Sequence, residues 1–120
     1  MVDGDKSVLR VFSRILQKSG YAVETAETGK ESIEKVQNNQ YDVVLIDLEL
    51  PNIDRNDLLR KMHEEIPITA KILVACFPYW ENGIQAINFR SDDCLLKPLK
   101  PEFLLTAVAE KLNHTEKLSK

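Results

Sequence analysis

The sequence is short of surplus positive charge, of cysteine and of long apolar runs, and each shortage removes a class of function. Sixteen Lys and Arg stand against nineteen Asp and Glu, a net charge of −3. That balance lacks the basic footprint of a nucleic-acid-binding domain. No apolar stretch approaches the ~20 residues of a membrane span. Asp3, Asp5 and Lys6 place charge where a signal peptide needs an apolar segment, so the chain reads as cytoplasmic, with no membrane contact. Its two cysteines, Cys76 and Cys94, have no metal-ligand spacing and no neighbouring histidine. They read as reduced, partly buried thiols, not as a disulfide framework or zinc site. No Gly-rich phosphate loop follows the first apolar residues, which argues against a nucleotide- or flavin-binding enzyme.

What is present suits one soluble domain. Apolar residues make up 43% and charged residues 29% of 120 positions, enough for a single core. The chain is organised around Tyr41-Asp-Val-Val-Leu-Ile-Asp47, followed by Leu48-Glu-Leu-Pro51. Four successive apolar residues, Val43 to Ile46, predict a strand covered on both faces, as in parallel sheets flanked by helices. Asp47 then stands at the carboxyl end, where ligands collect in such sheets. The run alone leaves it as either a turn cap or a functional group.

The remaining chain alternates in the same way. Val2-Asp3 reads as the last fragment of a strand, truncated at its start, which predicts low thermal stability. A helix follows over 7–19, ended by Gly20, then a short strand over 21–26. Thr28-Gly-Lys-Glu31 has the capping-box pattern, opening a helix to Asn38. Further helices are predicted over 56–65, 80–89 and from Pro101 onward, and strands over 71–75 and 93–97. Residues 1–113 form the domain and 114–120 a polar tail. Five strands alternating with helices predict an α/β fold, a doubly wound parallel sheet with helices on both faces.

These residues resemble the receiver domain of two-component response regulators, the CheY-like family. The resemblance rests on Val2-Asp3 and the acids after it, Gly20-Tyr21-x-Val23, Tyr41 to Pro51 with its central Asp47, Glu81-Asn82, and Leu95-Leu96-Lys97-Pro98. It implies a flavodoxin-like, five-stranded sheet of order 2-1-3-4-5. It implies Asp47 as phosphoacceptor, taking a phosphoryl group from a histidine kinase or phosphotransfer protein. It also implies Mg2+ held by Asp3, Asp47 and the backbone carbonyl of Glu49, with Lys97 on the phosphoryl oxygens. Chemistry would stop at self-phosphorylation and self-dephosphorylation. Output would pass through protein contacts, to a downstream protein or a fused effector domain.

Arg55 and Arg90-Ser91 stand where the family has small residues, and three further departures fall in the site and its switch. Gly4 stands where the second acid of the first strand belongs, Ala75 where a hydroxyl reads the phosphoryl group, and Cys94 where an aromatic switch residue lies. Magnesium would be weakened, and the hydroxyl-to-aromatic rearrangement has no parts. The alternative is a pseudo-receiver, a phosphorylation-independent protein-binding or homodimerising module. In either case Phe77, Tyr79 and Trp80 offer an apolar surface for a partner.

Overall fold

The computed structural model describes residues 1–75 and 93–119. Cys76, the aromatic residues Phe77, Tyr79 and Trp80, and the helix predicted over 80–89 lie outside the described residues. Three regular parallel strands, β1 (Val43–Asp47), β2 (Ala70–Ala75) and β3 (Asp93–Leu96), form a sheet in that order. Val44 aligns with Lys71 and Asp47 with Val74, while Val74 aligns with Leu95.

The short N-terminal segment extends this sheet through single bridges. Val2 bridges Ala26 on one side and Ile46 on the other, both parallel. Its N–H donates to the Leu45 carbonyl (2.7 Å), and the Asp47 N–H donates to the Val2 carbonyl (2.9 Å). The Asp3 N–H donates to the Ala26 carbonyl at 3.1 Å. Residues 1–3 therefore sit between the 24–26 segment and β1, the spatial order 2-1-3-4-5. Residues 21–26 are not a regular strand, because their neighbour contributes three residues and a ladder needs successive rungs.

Each helix ends where its sequence stops supporting it. Helix α1 (Lys6–Lys18) is capped by Asp5, whose carboxylate accepts the N–H groups of Ser7 and Val8. At its other end Gly20 takes φ +95°, a conformation glycine adopts without the Cβ clash. The N–H of Tyr21 then reaches the Leu16 carbonyl and that of Gly20 the Gln17 carbonyl, closing a Schellman motif. Thr28 caps α2 (Gly29–Asn38) by accepting the Glu31 N–H, and Asp54 caps α3 (Arg55–Glu65). The last helix, α4, runs Pro101–Ser119. It continues through the residues expected as a polar tail, since 114–119 contain no glycine or proline to stop it.

Alternation along the strands divides the core in two. Val44 and Ile46 pack with Val36 of α2 and Leu58, Leu59 and Met62 of α3. Leu45 and Ile72 face the opposite way, onto Leu16 of α1 and Leu104, Ala107 and Val108 of α4. Ile46, Ile72 and Leu73 are fully buried. Helices thus cover both faces, and strand ends are left as the place for chemistry.

Candidate functional site

The register of the sheet brings two acids together. Because Val2 pairs beside Ile46 in parallel, the next residues, Asp3 and Asp47, emerge at the same sheet end. Both are buried, at 6% and 5% exposure, far below what lone aspartates show. Asp3 accepts the N–H of Asp5 at 2.8 Å. Asp47 accepts the N–H of Glu49 on Oδ1 at 2.9 Å, so the turn after β1 holds its carboxylate.

Lys97 completes the arrangement from the end of β3. Its Nζ donates to Asp47 Oδ2 at 3.1 Å and lies 3.7 Å from Glu49 Oε2. The Lys97–Pro98 peptide bond is cis. Behind Glu49 the loop is anchored by buried Leu48 and Leu50 and by Ile53, which packs so closely on α2 that a Cβ at Gly29 would fall 2.6 Å from Ile53 Cγ2. Glycine is needed there for close approach, and that contact fixes the loop.

Charge and burial shift the titration of two groups. Burial is the largest influence on Asp3 and raises its pKa; the Asp5 N–H lowers it, Asp47 raises it and Lys97 lowers it, with a net rise. Burial opposes the charge of Lys97, but its hydrogen bond to Asp47 and the charges of Asp47, Glu49 and Asp3 outweigh this and raise its pKa. For Lys97, a raised folded value means that its stabilisation is present below the unfolded pKa and lost only as pH rises through the folded one, in the alkaline range. For Asp3 the raised value means that the fold favours the protonated carboxyl. Its contribution is fully present below the unfolded value of 3.8 and is lost as pH rises through the folded pKa. Asp3→Asn should therefore be more stable than the wild type at pH 7 in chelator. The gain should shrink as pH falls towards 4, which urea unfolding at several pH values measures.

The residues fit a hard cation, held weakly. Oxygen donors of one or two carboxylates suit Mg2+, which keeps several waters. Asp3, Asp47 and the Glu49 carbonyl are of that kind. Asp5 is engaged as the cap of α1, its Oδ1 accepting the N–H groups of Ser7 and Val8. Among the described residues no group of three or more acidic, histidine or cysteine side chains is placed to hold a metal ion. Gly4 leaves room for the missing acid: a Cβ there would meet Pro51 Cδ at 3.7 Å and Leu50 Cδ2 at 3.9 Å, ordinary contacts.

The site thus sets a buried aspartate at the end of a central parallel strand, with a lysine on it and a second acid beside it. The family model of the response regulator receiver domain matches residues 1–109. The chain belongs to the response regulator receiver domain family. It is 28% identical over 119 residues to the transcriptional regulatory protein ResD of Bacillus subtilis, covering 99% of this chain and 49% of that protein. It is 30% identical over 118 residues to the response regulator MprA of Mycobacterium sp. strain KMS, covering 96% of this chain and 50% of that one. The chain thus spans about half the length of these relatives. Among solved structures it is similar to a CheY-like response regulator receiver domain protein from Methanospirillum hungatei JF-1. There the TM-score is 0.89 at 35% identity, over 97% of this chain and 93% of that one. A receiver domain from Clostridium thermocellum gives a TM-score of 0.89 at 26% identity, over 98% and 94%.

This receiver domain is accordingly a two-component signalling module, of a family that is generally not enzymatic. Receiver domains generally bind Mg2+ at the acidic site. No helix among the described residues is long and apolar enough to cross a membrane. Of the departing positions, Gly4 is exposed beside Pro51, Ala75 ends β2, and Cys94 is half-buried against the α2–α3 side of the core. Sequence reasoning assigned Glu49 only a backbone role. The contact of its side chain with Lys97 was missed, although an acid two residues after Asp47 was a visible signal.

Proposed function

We propose that this receiver domain takes a phosphoryl group on Asp47 from a histidine kinase or phosphotransfer protein. The observation that carries the reading is Lys97 Nζ at 3.1 Å from a buried Asp47 carboxylate. An aspartate oxygen attacks phosphorus, the bond to the donor breaks, and the donor leaves with the electron pair. Lys97 keeps its protons and meets the charge of the phosphoryl oxygens as it is brought to the carboxylate. Asp3, Asp47 and the Glu49 carbonyl would hold Mg2+, which when bound offsets phosphoryl charge. The turn at Glu49 orients Asp47, and burial keeps competing water from its inner side.

Output would be passed by protein contacts to a downstream protein or a fused effector domain. Supporting this, Leu96 of β3 is 44% exposed and Phe103 of α4 58% exposed, with Lys100 Nζ 5.7 Å from the Phe103 ring. Position 75 has no hydroxyl and position 94 no aromatic ring, so the hydroxyl-to-aromatic rearrangement has no parts here.

Incubation with acetyl phosphate and Mg2+, read by intact mass, tests the reading. The wild type should gain one phosphoryl group and Asp47→Asn none. An equal gain in both would move the acceptor elsewhere, and no gain in folded wild type would overturn the proposal.

A further inference from the structure

We infer that Lys35 guards the open edge of the sheet, residues 23–25, against pairing with a second copy of this chain. The edge follows from the register of the segment that ends at Ala26. The Ala26 N–H donates to the Met1 carbonyl at 2.9 Å, and the Ala26 carbonyl accepts the Asp3 N–H at 3.1 Å, so the main-chain groups of residue 26 face inward. In extended chain these groups alternate sides from one residue to the next. Those of Val23 and Thr25 therefore point outward, and among the described residues no main-chain group bonds them. Both residues are β-branched, the type that suits a strand. An edge of that kind is a template for another chain.

One side chain closes it. Lys35 of α2 donates from Nζ to the Thr25 carbonyl, one of the outward groups, and Glu31, one turn earlier, lies 3.7 Å from the same Nζ. A charged lysine set on an edge is a known way of blunting it. Two copies laid antiparallel about Glu24 would set Val23 of each opposite Thr25 of the other, in hydrogen-bonded pairs that exchange both main-chain bonds. Half of those bonds would end on the Thr25 carbonyls, which Lys35 holds. The same arrangement sets the two Glu24 side chains directly opposite, like charges that oppose pairing. Tyr41, whose hydroxyl donates to Glu24 Oε1 at 3.0 Å, keeps that acid at the edge. The Lys35 side chain is 36% exposed, so the guard can be removed without opening the core.

Sedimentation equilibrium over a wide range of concentration tests the inference, with thermal unfolding as the check on folding. Lys35→Met keeps the stem but loses the donor and the charge. It should self-associate at least about tenfold more tightly than the wild type, the size of one charge-assisted hydrogen bond no longer competing for Thr25. Lys35→Ala, which cannot cover the edge with its own side chain, should do the same, and Lys35→Arg, which keeps donor and charge, should match the wild type. Amide hydrogen exchange then locates the contact. In Lys35→Met the Val23 and Thr25 N–H groups should exchange more slowly as concentration rises, and in the wild type at rates independent of concentration. Folded Lys35→Met and Lys35→Ala proteins no more associated than the wild type overturn the inference. So does association that leaves the Val23 and Thr25 amides unprotected, an equal association of Lys35→Arg, or a wild type already paired through this edge.

Discussion

Gly4→Asp should tighten Mg2+ binding by about tenfold, the factor that ~1.4 kcal/mol of added attraction gives. Position 4 follows buried Asp3 directly and stands against Pro51 and Leu50 of the loop after Asp47, at the same end of the sheet as the acids. A Cβ there makes ordinary contacts of 3.7–4.0 Å, so the backbone has no reason to move. The cost should appear without metal, because a third acid beside Asp3 and Asp47 adds repulsion against the charge of Lys97. In chelator the variant should melt below the wild type, and Mg2+ should restore it by mass action. Calorimetric Mg2+ titration of both proteins measures the first effect and thermal unfolding with and without metal the second. Unchanged Mg2+ affinity would mean that the cation does not use this sheet end.

Ile46→Ala should cost about 3–4 kcal/mol, near the middle of the range for large-to-small changes at fully buried sites. Ile46 has no exposed surface, faces the α2–α3 side of the core and is the residue Val2 bridges. Around it the sheet rests on only a three-residue segment on one side, so collapse onto a cavity would loosen that bridge. A domain of this size holds roughly 6–18 kcal/mol in all, so the loss is a large part of the margin. Urea unfolding should show it, with Ile46→Val losing about 1 kcal/mol. Because Asp47 is the next residue, labelling should fall with stability under mild denaturant. A loss below 1 kcal/mol for the alanine variant would show that this side of the core repacks freely.

Much of this frame was legible because it rests on local signals. The apolar run Val43 to Ile46, the cap at Thr28 and the stop at Gly20 each dictate a conformation through neighbours in sequence, and each is found where those residues place it. The 21–26 segment was misjudged as a regular strand for the opposite reason. Its alternating pattern is real, but a strand needs a partner, and the partner offers one bridging residue. Helix α4 continues past residue 113 because polar residues by themselves do not stop a helix, which ends at glycine, proline or lost packing. In the site, Asp47 and Lys97 were marked by their strand-end positions. Asp5, one of the acids after Asp3, caps α1 by accepting the N–H groups of Ser7 and Val8. The bond between Lys97 and Asp47 spans 50 residues, and no local pattern reports a contact of that separation.

The measurement closest to the central claim is titration of the protein with beryllofluoride, a mimic of a carboxylate-bound phosphoryl group, in the presence of Mg2+, followed by nuclear magnetic resonance. Saturable shifts at Asp3, Asp47, Glu49 and Lys97 that vanish in Asp47→Asn are the predicted result. A folded wild type whose spectrum does not change, or shifts that persist in Asp47→Asn, would contradict the assignment of Asp47 as the phosphoryl acceptor.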